Sequence, residues 1–183
     1  MNLFVGERFP VDIAVTSADG DVTVAQLIAT GPAVVAFHRL WCPFCQQAAR
    51  DLEQAAEQLA EAGARVAIVY RDGIDTVCTS CAERGLTADC FSDPLQELER
   101  ATELERFSIG WYAMFSPMRL IRVLRSGSRA GKVTSDVLQG RGTFVVDRDG
   151  RIVYAHHAVT AADIPPIDDI LAAVRAVAGG AGA

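Results

Sequence analysis

The feature that most constrains the fold is a pair of strand-sized apolar runs separated by a helical stretch. The runs are Ala33 to His38 and Arg65 to Tyr70, and continuous apolar runs of this length are typical of strands buried on both faces of a sheet. Between them, apolar residues recur on one helical stripe up to about Ala62, and Gly63 is a stop signal. This order predicts a right-handed βαβ unit with two parallel strands.

Weaker patterns place further elements around this unit. They are a strand at 11–15, a short helix at 23–29, an amphipathic helix from Asp93-Pro94 to about Phe107, a hairpin of 143–146 and 151–154, and a final helix from about Pro166 to Ala178. A chain of 183 residues suits one sizeable core. We expect a single domain over residues 1–178 and a loose tail over 179–183.

Composition excludes several classes of protein. The formal charge of −6 makes a general nucleic-acid binder a poor candidate, and no segment approaches the roughly 20 apolar residues that cross a bilayer. Residues 1–9 lack the pattern of a secretory signal, so we expect a cytoplasmic protein. In that reducing compartment, the five cysteines indicate redox activity or metal binding rather than a scaffold of structural disulfides.

Cys42 falls where the first buried strand turns into the helix, in the segment Trp41-Cys42-Pro43-Phe44-Cys45. The first turn of a helix offers unpaired N–H groups and the positive end of the dipole, and both stabilise a thiolate, the nucleophilic form of cysteine. Pro43 suits the first helical position, and Cys45 is close enough to form a small disulfide with Cys42. The segment predicts a redox-active dithiol. Buried core thiols and half of a zinc site are the alternatives.

Residues 35–45 resemble the active-site segment of the peroxiredoxin-like (AhpC/TSA) family, especially its peroxiredoxin-like 2 branch. Further segments similar to that family are 6–27, 139–150 and 154–166. With the order of the predicted elements, the resemblance implies an α/β thioredoxin-like fold, in which helices flank a central mixed sheet. An N-terminal extension and a helical insert, from about Cys78 to Leu138, complete the expected architecture.

The resemblance also implies the roles of site residues. It makes Cys42 the thiol that attacks a peroxide and Arg141 the arginine that many peroxiredoxins place beside the attacking sulfur; our hypothesis adds Cys45 as the thiol that resolves the product to a disulfide. Arg39 stands where typical members have Thr or Ser. A cation near Cys42 would stabilise the thiolate, and neighbours on an extended strand point to opposite faces. We therefore expect at most one of His38 and Arg39 to face the sulfur, and we favour Arg39.

A second pair, Cys78 and Cys81, follows the second buried strand. The carboxyl ends of parallel strands share one edge of a sheet, so this pair is expected near the first. It is either an auxiliary redox dithiol that relays electrons to Cys42 and Cys45, or the other half of a four-thiolate zinc site, or a set of ordinary thiols. Cys90 is expected to be a core residue.

The stretch from Gly110 to Lys132 contains five basic residues and no acidic one. Arg119, Arg122 and Arg125 are spaced by three, so a helix would present them on one face. That face is either solvated or a docking surface for an acidic reductant or an anionic substrate.

Together these patterns predict a thiol oxidoreductase that reduces peroxides or related oxidised substrates, without a cofactor. The alternatives are a thioredoxin-like disulfide reductase without peroxidase activity and a zinc-binding module that is not an enzyme. The expected partners are a small peroxide or disulfide substrate and a thiol reductant, either thioredoxin-like or of low molecular weight. Nucleic acid and membrane partners are not expected, and a homodimer is left open.

Overall fold

The computed structural model describes residues 3–104, 121, 124–125, 127, 140–160 and 162–180 of the chain. The strands among these residues are β1 (Ala14–Ser17), β2 (Gly20–Thr23), β3 (Ala33–Phe37), β4 (Arg65–Tyr70), β5 (Asp89–Ser92), β6 (Gly142–Val146) and β7 (Ile152–His157). The helices are α1 (Val24–Leu27), α2 (Pro43–Gln54), α3 (Ala56–Glu61), α4 (Ile74–Glu83), α5 (Glu97–Ala101) and α6 (Ile167–Gly180).

In the described part of the chain, the seven strands form one mixed sheet in the order β2-β1-β5-β4-β3-β6-β7. β3 pairs in parallel with β4, from Ala33 opposite Arg65 to Phe37 opposite Val69, and β4 pairs in parallel with β5. β6 joins the other side of β3 in the antiparallel sense. All five residues of β3 are buried. The parallel βαβ unit and the α/β class that the sequence predicts are confirmed.

The connection between β3 and β4 is two helices rather than the single helix that the apolar stripe predicts. α2 ends at Gln54 and α3 begins at Ala56. The stripe itself is retained, because Leu52, Ala55 and Leu59 are all buried in one cluster against the sheet. The break therefore leaves the packing face continuous.

Residues 74–92 differ most from expectation, since we predicted a helical insert beginning at about Cys78. They form α4 and then β5, which extends the sheet beyond β4. Val77 and Cys81 lie one turn apart on α4 and are both buried, as expected for a helix that covers a sheet face. These residues thus supply a strand of the sheet and a helix that covers it, rather than an insert.

The sequence predicts a helix from Asp93-Pro94 to about Phe107, but α5 begins later, at Glu97. The carboxylate of Asp93 accepts hydrogen bonds from the backbone N–H groups of Glu97 at 2.8 Å and Glu99 at 3.2 Å. Gln96 has a left-handed backbone, so the helix starts only at Glu97, and α5 spans Glu97–Ala101. Most of the basic stretch 110–132, including Arg119 and Arg122, lies outside the described residues.

No helix among the described residues is both long enough and apolar enough to cross a bilayer.

Candidate active site

Cys42 and Cys45 lie at the N-terminus of α2, directly after the central strand β3. Cys42 is the N-cap residue with an extended backbone, and Pro43 occupies the first helical position. The backbone N–H of Gln46 donates to the Cys42 carbonyl at 3.1 Å, which closes the first turn. Both thiols are free, and their residues are 5% and 1% exposed. The structure thus contains the strand–helix junction that the sequence predicts, with both sulfurs at the positive end of the helix dipole.

Arg141, directly before β6, reaches this pair from the neighbouring strand. Its Nη1 donates to the Sγ of Cys45 at 3.1 Å, and its Nη2 donates to the carbonyl of Asp163 at 3.2 Å. The next residue must be small, because a Cβ at Gly142 would lie 2.6 Å from a methyl carbon of Leu104. The Arg141 side chain is buried, so little solvent screens its charge from the sulfur.

The two thiols share one proton. Burial by itself would raise the pKa of the Cys45 thiol, but the hydrogen bond with Cys42 and the charge of Arg141 outweigh burial and hold that pKa well below its ordinary value. The hydrogen bond with Cys45, together with burial, raises the pKa of Cys42. The pair therefore holds its thiolate on Cys45 and its remaining proton on Cys42. The hydrogen bond between the two thiols, which raises the pKa of Cys42 and lowers that of Cys45, sets this order, whereas the charge of Arg141 acts to lower both pKa values.

Arg39, which we favoured as the cation beside the sulfur, is engaged in a buried ion pair. Its Nη2 lies 2.7 Å from Oε1 of Glu99, and both side chains are almost fully buried. Glu99 also accepts hydrogen bonds from Nη2 of Arg71 at 2.5 Å and from Nε of Arg71 at 2.8 Å. Burial lowers the pKa of the Arg39 guanidinium. Glu99 opposes this shift more strongly than the charge of Cys45 does. Arg39 thus ties the loop before α2 to α5.

His38 is buried at the end of β3, and its imidazole ring lies edge-on to the phenol ring of Tyr70. Burial lowers the pKa of His38 to about 4; the Cys45 thiolate opposes the shift, and Arg141 adds to it. The ring is therefore neutral at pH 7. Its Nδ1 has no hydrogen-bond partner among the described residues. His38 and Arg141 line one small pocket together with Asp163.

The segment after β7 covers the cysteine pair. Ala162 and Ile164 pack against the buried cluster that contains Cys42 and Cys45. Asp163 between them accepts a hydrogen bond from the Val159 N–H at 2.9 Å and lies 3.4 Å from Nε2 of His156. The neighbouring His156 imidazole is the main cause of the lowered pKa of Asp163. This carboxylate therefore orders the covering segment, whose backbone holds Arg141.

The second group of cysteines is arranged differently from the predicted Cys78/Cys81 pair. Cys81 forms a disulfide with Cys90 of β5, whereas Cys78 is free and partly exposed. The reason is the orientation of α4, because Cys81 is on its buried face while Cys78 is at the margin. Among the described residues, no group of three or more His, Cys, Asp or Glu side chains is arranged to hold a metal ion. The zinc alternative, which needs all four thiolates of Cys42, Cys45, Cys78 and Cys81, has no support there.

Sequence reasoning missed the partners of the predicted residues. Glu99 is 60 residues from Arg39 and Asp163 is 22 residues from Arg141, whereas Cys90 is 9 residues from Cys81 but on another element. The odd number of cysteines indicates only that at least one thiol is unpaired, and it does not predict a partner for Cys90. Burial of Glu99 was not foreseeable from a helix whose length was itself overestimated.

The comparisons with known proteins agree with this architecture. The sequence model of the AhpC/TSA family matches residues 5–155, and no match was found among the curated proteins. One similar solved structure is peroxiredoxin Q from Xanthomonas campestris, with 21% identity, a TM-score of 0.66 and coverage of 92% of each chain. Another is peroxidoxin BcpB from Mycobacterium tuberculosis, with 18% identity, a TM-score of 0.71 and coverage of 96% of this chain and 99% of that one.

A putative thiol:disulfide interchange protein DsbE from Chlorobium tepidum is also similar, with 18% identity and a TM-score of 0.64 over 94% of this chain and 99% of that one. At these identities the structural likenesses support the fold alone. The family match carries more, because it spans both the Cys42–Cys45 junction and Arg141. This chain belongs to the AhpC/TSA family.

Proposed function

We propose that this protein is a thiol peroxidase, which reduces peroxides or related oxidised small molecules with the Cys42/Cys45 dithiol. The observation that carries the proposal is the buried guanidinium of Arg141, 3.1 Å from the Cys45 sulfur of a dithiol that opens a helix. A helix N-terminus and a buried cation both lower the free energy of a thiolate. Membership of the AhpC/TSA family supports the same chemistry.

The shared proton suggests how the reaction begins. Cys42 is the more exposed of the two residues, and the Cys45 thiolate can take its proton as the Cys42 sulfur attacks a peroxide oxygen. The O–O bond breaks, Cys42 becomes a sulfenic acid, and the departing oxygen leaves as an alcohol or water once protonated. The charge of Arg141 favours the thiolate form of each cysteine, although the hydrogen bond with Cys45 and burial keep the pKa of Cys42 raised.

Cys45 completes the cycle. Its sulfur attacks the Cys42 sulfur, the S–O bond breaks, water leaves, and a Cys42–Cys45 disulfide forms. Two electrons have then passed from the dithiol to the peroxide. Two equivalents of a thiol reductant, protein or low-molecular-weight, restore the dithiol by exchange. We place this reaction in the cytoplasm, where such thiols are abundant. A homodimer stays a prediction.

Rapid-quench oxidation of the reduced protein tests this proposal. The protein is mixed with hydrogen peroxide or, separately, with an alkyl hydroperoxide. The remaining thiols are alkylated at set times, and the masses of the products are measured by mass spectrometry. We expect a second-order rate constant well above that of free cysteine, and loss of the fast phase in Cys42→Ser. A rate no better than that of free cysteine would overturn the peroxidase proposal. Insulin reduction by the same sample would then identify a disulfide reductase.

A further inference from the structure

The C-terminal end of α4 links the Cys81–Cys90 disulfide to the loop that carries Cys42. Cys81 is in the third-last position of α4, and Cys90 is in β5. The bond therefore fixes the last turn of the helix to the sheet. Neither cysteine takes part in the peroxide chemistry proposed above.

The backbone carbonyl of Cys81 also accepts hydrogen bonds that close the end of the helix. The N–H of Leu86 donates to the Cys81 carbonyl at 3.1 Å, and the N–H of Gly85 donates to the Ala82 carbonyl at 3.0 Å. Gly85 has a φ of 65°. This is the Schellman arrangement, in which a left-handed residue closes a helix. The N–H of Arg84 also donates to the Cys81 carbonyl, at 3.2 Å. Cys81 thus fixes Arg84 through its carbonyl while its sulfur is fixed to β5.

Arg84 in turn holds the active-site loop. Its Nη2 donates to the carbonyl of Leu40 at 3.0 Å, and Nε2 of Gln46 in α2 donates to the same carbonyl at 3.0 Å. Leu40 lies two residues before Cys42, whose N–H donates to the Arg39 carbonyl at 3.2 Å. The loop is therefore held from the α4 side by Arg84 and from the α2 side by Gln46.

We propose that the Cys81–Cys90 disulfide is a redox-sensitive control site, which sets the reactivity of Cys42 and Cys45 through Arg84 and the Leu40 carbonyl. The proposal rests on the function proposed above. With the disulfide intact, the last turn of α4 is anchored and Arg84 holds the loop. With the disulfide reduced, that anchor is lost, the loop samples more conformations, and the dithiol reacts more slowly.

External thiols reduce the disulfide of the control site, and a peroxide forms it again. Cys90 is partly exposed and Cys81 is buried, so an external thiolate attacks the Cys90 sulfur and Cys81 leaves as a thiolate that then takes a proton. A second external thiol attacks the mixed disulfide and releases Cys90, and the two external thiols end as a disulfide. A peroxide reverses the change by accepting two electrons and two protons, which gives an alcohol or water from each oxygen.

A double-mutant cycle on peroxide oxidation tests the link. We compare wild type with Arg84→Met, with the pair Cys81→Ala and Cys90→Ala, and with the combined variant. Couplings between sites commonly change affinity by about 5- to 150-fold, and we expect each change alone to slow oxidation of the Cys42/Cys45 dithiol by at least about fivefold. The combined variant should be no slower than either, because one path carries both effects. Ser80→Ala on α4 and Arg175→Met on α6 serve as matched controls and should react like wild type.

Three results would overturn the control site. One is an unchanged rate in the cysteine pair variant, another is a combined effect equal to the product of the two separate effects, and the last is peptide mapping that finds Cys81 bonded to a cysteine other than Cys90. If the cysteine pair variant does not fold, wild type with this bond chemically reduced replaces it in the cycle.

Amide hydrogen exchange keeps this test separate from the peroxidase proposal. Faster exchange in residues 40–46 after Arg84→Met, and equally after loss of the disulfide, supports the link even if no variant reacts with peroxide. Unchanged exchange in both variants counts against it, whatever the peroxide rates are.

Discussion

At the scale of single residues, the contact between Arg141 and Cys45 stabilises the thiolate of the dithiol. A hydrogen bond to a charged group is worth about 1.5–3 kcal/mol, and each 1.36 kcal/mol is a factor of ten in rate. We therefore predict that Arg141→Met slows peroxide oxidation by about 10- to 100-fold and raises the pKa of the Cys45 thiol. Thiolate absorbance at 240 nm against pH measures the pKa. Arg148→Met, an exposed arginine away from the site, should change neither quantity; an unchanged titration in Arg141→Met would refute this account of the thiolate.

His38 gives a second prediction at this scale, since its pKa falls from 6.5 to about 4 on folding. Between these values the unfolded chain binds more protons than the folded one, so stability falls as pH decreases through the window. The loss from His38 reaches about 2–3 kcal/mol near pH 4.5. Urea unfolding at pH 7 and pH 4.5 measures this loss. Between these pH values the free energy of unfolding should fall by about 2–3 kcal/mol less in His38→Gln than in wild type, because the other groups titrate as before. Equal losses in wild type and His38→Gln would contradict the prediction.

At the scale of elements, helix ends determine the geometry of the site. α2 presents Cys42 at its N-cap, and α4 ends in the turn that positions Arg84. Because an L-residue in the left-handed region costs roughly 1–2 kcal/mol, we predict that Gly85→Ala lowers the free energy of unfolding by about that amount. Gly73→Ala, at the N-cap of α4 where φ is −62°, should cost less, about 0.5 kcal/mol, because Ala is a somewhat poorer N-cap than Gly. Similar losses in both variants, measured by urea denaturation, would show that Gly85 is not required for the turn.

At the scale of the whole molecule, the sequence predicted what periodicity and local chemistry encode. β3 and β4 were foreseen because they are continuous apolar runs, and β6 and β7 because turn residues separate two short runs. β5 was not foreseen, since it is only four residues long and owes its place to pairing with β4. The position of Cys42 was predictable because a strand, a cysteine and a proline occur in that local order.

The partners in the site were not predictable for a different physical reason. The site combines segments around residues 38–45, 71, 99, 141 and 163, which only the folded sheet brings together. An arginine such as Arg39 reads in sequence as a free cation, and only the tertiary structure shows that Glu99 neutralises it. The same holds for Cys81, whose partner lies across a turn on another element rather than one helical turn away.

Disulfide mapping after a single turnover tests the central claim most directly. Reduced wild type and Cys42→Ser are each treated with one equivalent of hydrogen peroxide, alkylated, digested and analysed by mass spectrometry. The account predicts a Cys42–Cys45 bridge in wild type that is absent from Cys42→Ser. Oxidation that leaves Cys42 and Cys45 as thiols in wild type, while linking cysteines of the second group, would contradict it.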